Sequence, residues 1–191
     1  MPKISAQTVA EHRDQVRRRI FEAFATLLAE RSFDAVTMAQ IAARADIGRT
    51  AIYHHFPDKE AVVVAFASDE TERYLNDLRA ELDRVTDPVD RMAVYIRHQL
   101  RAGEQFHMGL GMQLVGVLSR QAAQEIREHV VAVEDVLREL LEAGARASVF
   151  DVPDLAATMS LVHACLAPRD VAPDQVERFI LRALAIPRTD A

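Results

Sequence analysis

The stretch "IGRTAIYHHFPDK", residues 47–59, sets a glycine, an arginine, a threonine, a tyrosine and two histidines ahead of a proline. Pro57 lacks an N–H, and its ring disfavours helix in the residue before it, so a helix here ends at Phe56. Ile52 and Phe56 are four apart and share one helical face, which predicts that they point into a core. Arg49, Thr50, Tyr53 and His54 then point outward. A short helix that presents donors on its free face suits the major groove of duplex DNA, where base edges offer acceptors. Arg49 can donate two bonds to guanine, and Thr50 can meet a thymine methyl or a phosphate. Ala51 allows close approach, while Tyr53, His54 and Lys59 can donate to phosphate.

Working outward, Thr37-Met-Ala-Gln40 is a capping box that opens a helix carrying Ile41, Ala42 and Ala45. Gly48 is the turn residue between that helix and the next. Thr37 can also bond a phosphate, at a helix end that offers free N–H groups. Upstream, Thr8-Val-Ala-Glu11 reads as a further capping box, and Val16, Ile20, Phe24, Leu27 and Leu28 repeat at helical spacing until Ser32–Asp34. Residues 8–56 therefore predict three helices, the last two forming a helix-turn-helix.

Asp58 can cap a fourth helix through Val62, Phe66, Leu75, Leu78 and Leu82. Asp87-Pro88, Val152-Pro153-Asp154 and Ala172-Pro173-Asp174 each read as a helix start, with proline at the first helical position. Ile126, Val130, Val133, Leu137, Leu140 and Leu141 form another stripe, ending near Gly144. Linkers are expected at 85–88, 101–105, 147–153 and 167–172. The fold class is thus all-α, with about nine helices. A helix-turn-helix domain is expected over residues 1–56 and a helical ligand-binding and dimerisation bundle over 57–191.

Composition agrees. Of 191 residues, only 6 are glycine and 7 proline, against abundant helix formers. No apolar run reaches the roughly 20 residues of a membrane span. The N-terminus lacks a secretory apolar core, and Cys165 is the single cysteine, so a reducing cytoplasm is expected. Net charge is −6, but residues 1–60 hold 9 Lys+Arg against 8 Asp+Glu, and residues 61–191 hold 14 against 21. Residues 1–20 carry Lys3, Arg13, Arg17, Arg18 and Arg19 against Glu11 and Asp14. The positive charge therefore gathers at one end, which reads either as a solvated helix face or as a surface for an anionic partner.

The segment "TMAQIAARADIGRTAIYHHFPDKEAVV" resembles the DNA-binding signature of the TetR family over about residues 12–66. It combines T-x-x-x-I-A, a small-residue turn, T-x-Y-x-H-F and a K-E helix start, after a first helix ending near Phe33. The resemblance implies a homodimeric repressor that binds a pseudo-palindromic double-stranded operator and is released by a small-molecule ligand. Carried over by position, it implies DNA contacts at Thr37, Arg49, Thr50, Tyr53, His54 and Lys59. Ala51 stands where the family often has a small or polar residue. Arg44 either reaches the DNA backbone or packs.

Tyr95, Phe106, Met108, Met112, Met159 and His163 are candidates to line a ligand cavity, because methionines adapt to varied apolar shapes. The acidic 61–191 segment favours an apolar or cationic ligand. Leu155, Met159, Val162, Val176, Phe179 and Leu184 are candidates for a dimer interface built as a four-helix bundle. Met159 and His163 stand between the pocket and interface readings.

No cofactor or metal is expected. His54 and His55 are adjacent and so point about 100° apart on a helix; His55 is expected to pack. None of His98, His107, His129, His163 and Cys165 lies four residues from another. "GLGMQLVG", residues 109–116, mimics a dinucleotide loop but has no strand before it. An enzyme using His and Asp/Glu in the bundle finds no supporting spacing. A helical oligomerisation module would leave the local arginines and "RTAIYHH" unexplained.

Overall fold

A computed structural model describes residues 6–106, 118–167 and 170–186, with the side chains of 6–10 and 103–106 outside the description. The described residues form seven α-helices and two 3-10 turns, with no β-strand, which is the all-α class the sequence predicts. The helices are α1 (Ala6–Glu30), α2 (Met38–Arg44), α3 (Lys59–Leu82), α4 (Pro88–Phe106), α5 (Arg120–Arg146), α6 (Leu155–Cys165) and α7 (Pro173–Leu184); the turns are Phe33–Ala35 and Ala51–His54.

The expected count of about nine included a full helix at 49–56. There, Gly48 and Pro57 leave room for barely two turns, and a 3-10 turn forms over Ala51–His54. It also included a helix near residue 110. The segment 109–116 and residues Met108 and Met112 lie outside the described residues, as does the Phe106 side chain.

Capping explains the helix starts. Thr37 and Gln40 form the reciprocal capping box: the Gln40 amide donates to Thr37 Oγ1 at 3.3 Å, and the Thr37 amide donates to Gln40 Oε1 at 2.9 Å. Asp58 Oδ1 accepts from the Ala61 amide at 2.8 Å and opens α3. Asp87 Oδ1 accepts from Val89 and Asp90 and opens α4 behind Pro88. Three expectations need correction. Helix α1 already includes Ala6, so Thr8 lies inside it and is not its cap. Asp154, not Val152, caps α6, and Pro153 lies before the cap. Residues 101–105 are not a linker, because α4 runs unbroken to Phe106.

The described residues divide into two compact units, residues 6–69 with 118–126, and 70–106 with 127–186. The core of the first is aromatic. Phe21 and Phe24 of α1 meet Phe66 at 5.8 and 5.7 Å between ring centres, both edge-on, Phe21 meets Phe56 at 5.8 Å, and Phe24 meets Phe33 at 6.4 Å. Ile20, Ile41 and Ile52 are fully buried among them. Each such side chain contributes about 1.5–3 kcal/mol on leaving water.

The second unit buries Leu78, Met92, Tyr95, Ile96, Leu137, Leu141 and Ile180. Its last helix splits its apolar residues between two faces: Val176, Ile180 and Leu184 face inward at spacings of four, while Phe179 is 62% exposed. Gly144 is required by packing, since a Cβ there would collide with the Phe150 ring. Phe150 pairs with Ala185 in an isolated antiparallel bridge, and the Asp151 amide donates to the Leu184 carbonyl at 2.8 Å.

Candidate nucleic-acid interface

The interface is built from beneath. Ile52 and Phe56 are buried in the first unit, at 0% and 5% exposure, which pins the Ala51–His54 turn to the core. The amide of Phe56 donates to the Ile52 carbonyl at 2.9 Å, closing the segment just before Pro57. Arg49, Thr50, Tyr53 and His54 are then all exposed, and Ala51 is half-buried. Tyr53 is 50% exposed. Neither the Arg49 guanidinium nor the Thr50 hydroxyl has an internal partner among the described residues. The turn between α2 and this segment bends at Asp46, whose φ is 52°. Gly48 was the expected turn residue, but a Cβ there meets nothing closer than Ala51 at 3.8 Å.

The other three candidates are engaged within the fold. Thr37 is exposed and serves as the cap of α2. Arg44 pairs with Glu30 at 2.6 Å, and that hydrogen bond holds the Glu30 carboxyl below its ordinary range. Lys59 Nζ donates to the carbonyls of Phe33, Asp34 and Val36 at 3.1, 3.4 and 3.5 Å.

Beside the segment stands a cationic group. Arg17 lies 5.5 Å over the Phe21 ring and 5.8 Å over that of Phe56. His12 and Arg13 are exposed on the same helix. His55 is half-buried, and its Nδ1 is sealed from solvent without a hydrogen-bond partner. Burial first, and then Arg13, His54, Arg17 and His12, hold its imidazole below its ordinary value. The sequence signal for His55 was only its neighbour His54; helical spacing does not reveal that its ring nitrogen lacks a partner.

Of the pocket candidates, Tyr95, Met159 and His163 lie among the described residues. Tyr95 is fully buried and its hydroxyl accepts from Gln99 Nε2 at 2.8 Å; burial pushes its phenol up to about 12. Met159 is buried in the core and His163 is half-buried. An open cleft of about 570 Å³ instead lies between α3 and α4, lined by Tyr74, Asp77, Glu81, Arg84, His98 and Arg101 among others. Burial raises the Glu81 carboxyl, but hydrogen bonds from Arg101, at 2.8 Å, and His98, at 3.3 Å, outweigh it and hold it low. The Tyr74 ring stands edge-on to His98 at 4.8 Å, and its buried hydroxyl has no partner within the protein. Each of these residues sits at ordinary helical spacing on its own helix, so only the pairing of α3 with α4 reveals the cluster.

The self-association candidates divide by burial. Met159, Val162, Val176 and Leu184 are 4–7% exposed and fill the core of their own unit, and Leu155 is half-buried against that core. Phe179 is exposed as expected, and Leu161, at 68%, is exposed on α6. The helical stripe through Leu155, Met159 and Val162 could not tell an own-core face from an outward one.

Residues 20–66 match the model of the family described as bacterial regulatory proteins, tetR family. The HTH-type transcriptional repressor Rv1474c of Mycobacterium tuberculosis (strain ATCC 25618 / H37Rv) is 36% identical over 73 residues, which are 38% of this chain and 37% of that protein. This chain thus spans little more than a third of that relative. The HTH-type transcriptional regulator BetI of Rhizobium meliloti (strain 1021) is 25% identical over 147 residues, 77% of this chain and 70% of that one. A solved transcriptional regulator from Saccharomonospora viridis, in complex with choline, shares the fold at a TM-score of 0.69 with 18% identity, over 87% of this chain and 94% of that one. The helix-turn-helix segment, residues 20–66, is thus similar to that of the tetR family of bacterial regulatory proteins.

Proposed function

We propose that the chain is a cytoplasmic, ligand-responsive transcriptional regulator that represses by binding a pseudo-palindromic operator as a homodimer. The observation that carries this reading is the exposed row Arg49, Thr50, Tyr53 and His54, anchored from beneath by Ile52 and Phe56 on a family-matched segment. Arg49 and Thr50 read base edges; Tyr53, His54 and Thr37 bond phosphate; Ala51 permits the approach. Arg44 and Lys59, already bonded within the fold, position α2 and meet phosphate only by exchanging those bonds. The functional division is residues 1–56 for DNA and 57–191 for ligand and self-association. No residue is assigned a catalytic role. No helix among the described residues is long and apolar enough to cross a membrane.

The effector is a small apolar or cationic molecule. The acidic balance of residues 61–191 supports this, as does the choline bound by the Saccharomonospora viridis protein of like fold. Its binding favours a conformer whose recognition segments no longer match the operator, by as much as its affinity differs between the two states. Self-association uses the outward faces of α6 and α7, where Leu161 and Phe179 stand exposed. The test is binding to DNA upstream of the chain's own gene, titrated with salt against random duplex. A large preference and a steep salt slope support the reading. Equal affinity for both, with no change on adding choline or apolar candidates, contradicts it.

A further inference from the structure

His55 sits on the segment that presents donors to DNA, yet it is half-buried and its Nδ1 has no partner. The groups acting on it are Arg13, Arg17 and His12 of α1 and His54 of its own turn, with no carboxylate among them. A charged imidazolium has two N–H donors and no acceptor role. In the free protein its protonation is therefore opposed twice, by like charge and by a buried donor left unmet. A phosphate drawn to Arg13, Arg17 and His54 supplies the missing negative charge, which lowers the cost of an imidazolium beside those cations.

We propose that His55 couples DNA binding to proton uptake, its ring taking up one proton as a duplex phosphate seats against the His12, Arg13, Arg17 and His54 cluster. This inference rests on the reading of residues 47–59 as the DNA-contacting segment. Its consequence is a regulator that holds its operator more tightly as pH falls through the histidine range. It also makes His55 an affinity residue, although its side chain is half-buried.

The experiment is duplex affinity between about pH 5.5 and 8, measured for the unaltered protein, His55→Gln, and the doubly substituted His12→Gln/His54→Gln. Uptake of one proton strengthens binding by up to about tenfold per pH unit between the free and bound titrations. The expected result is that His55→Gln loses most of this dependence while the double variant keeps a clear part of it. A His55→Gln protein with the full dependence overturns the proposal. Independently of any variant, the His55 ring resonance is followed by NMR through the same range. The ring is expected to stay neutral in the free protein to lower pH than in the complex; identical titration in both overturns the coupling. If the unaltered protein binds no DNA at any pH, the DNA-contact reading falls and the coupling with it; binding that ignores pH overturns the coupling alone.

Discussion

The Lys59 ammonium donates to the Phe33 carbonyl at 3.1 Å and sits 4.4 Å above the ring of the same residue. The first residue of α3 thus holds the turn that leads into α2. With its bonds to Asp34 and Val36, one side chain closes a turn whose carbonyls have few other donors.

Lys59→Ala should therefore cost stability before it costs affinity. Hydrogen bonds from a charged donor contribute about 1.5–3 kcal/mol each when sheltered, and partial exposure brings the net loss nearer 1 kcal/mol. Urea unfolding of the variant should show a lower midpoint with an unchanged slope. A midpoint equal to that of the unaltered protein would mean that the ammonium leaves these carbonyls in solution and is free for phosphate.

Arg49→Ala should leave stability alone, because the guanidinium is exposed and unbonded among the described residues. The cost should fall on recognition, about 1–3 kcal/mol and confined to one base-pair position in each half-site. Affinities for the operator and a set of single-base variants measure both amount and position. A uniform loss across all sequences would make Arg49 a phosphate contact.

Much of this was legible in the residues. The Thr37-x-x-Gln40 pattern reports a backbone need that any helix start has, so the capping box formed as read. Ile52 and Phe56 were placed inward by spacing alone, and the structure buries both. What escaped reading depends on partners distant in sequence. Lys59 looked free because nothing nearby in sequence bonds it; its acceptors are 23–26 residues away. Val176 and Phe179 looked equivalent on one apolar stripe, and only the packing of α7 turns one inward and the other outward. The Asp46 bend went unread because aspartate adopts positive φ less readily than the glycine two residues on.

Tyr74 and Tyr95 of the second unit, whose hydroxyls differ in partners, should respond differently. Tyr74 keeps a hydroxyl without a partner, so Tyr74→Phe should leave stability unchanged or raise it by up to about 1 kcal/mol. Tyr95 has Gln99 as donor, so Tyr95→Phe strands that amide and should cost about 1 kcal/mol. Paired urea midpoints decide this; equal losses in both would mean that Tyr74 is bonded in solution.

Phe179→Asp and Leu184→Ala, five residues apart on α7, should fail differently. Phe179 is outward, so its substitution should convert dimer to monomer in sedimentation while leaving helicity intact. Leu184 is in the core, so truncating it should cost about 2–5 kcal/mol of stability. A Phe179→Asp protein that sediments as the unaltered one does would move the self-association face elsewhere.

The most direct measurement is selection of bound duplexes from a random library by the purified protein, followed by sequencing. The account predicts enrichment of one pseudo-palindrome whose half-sites are about 10 base pairs apart, or a multiple of that, as two recognition segments related by a two-fold axis require. A bound pool with no enriched sequence, retained no better than the starting library, would contradict it.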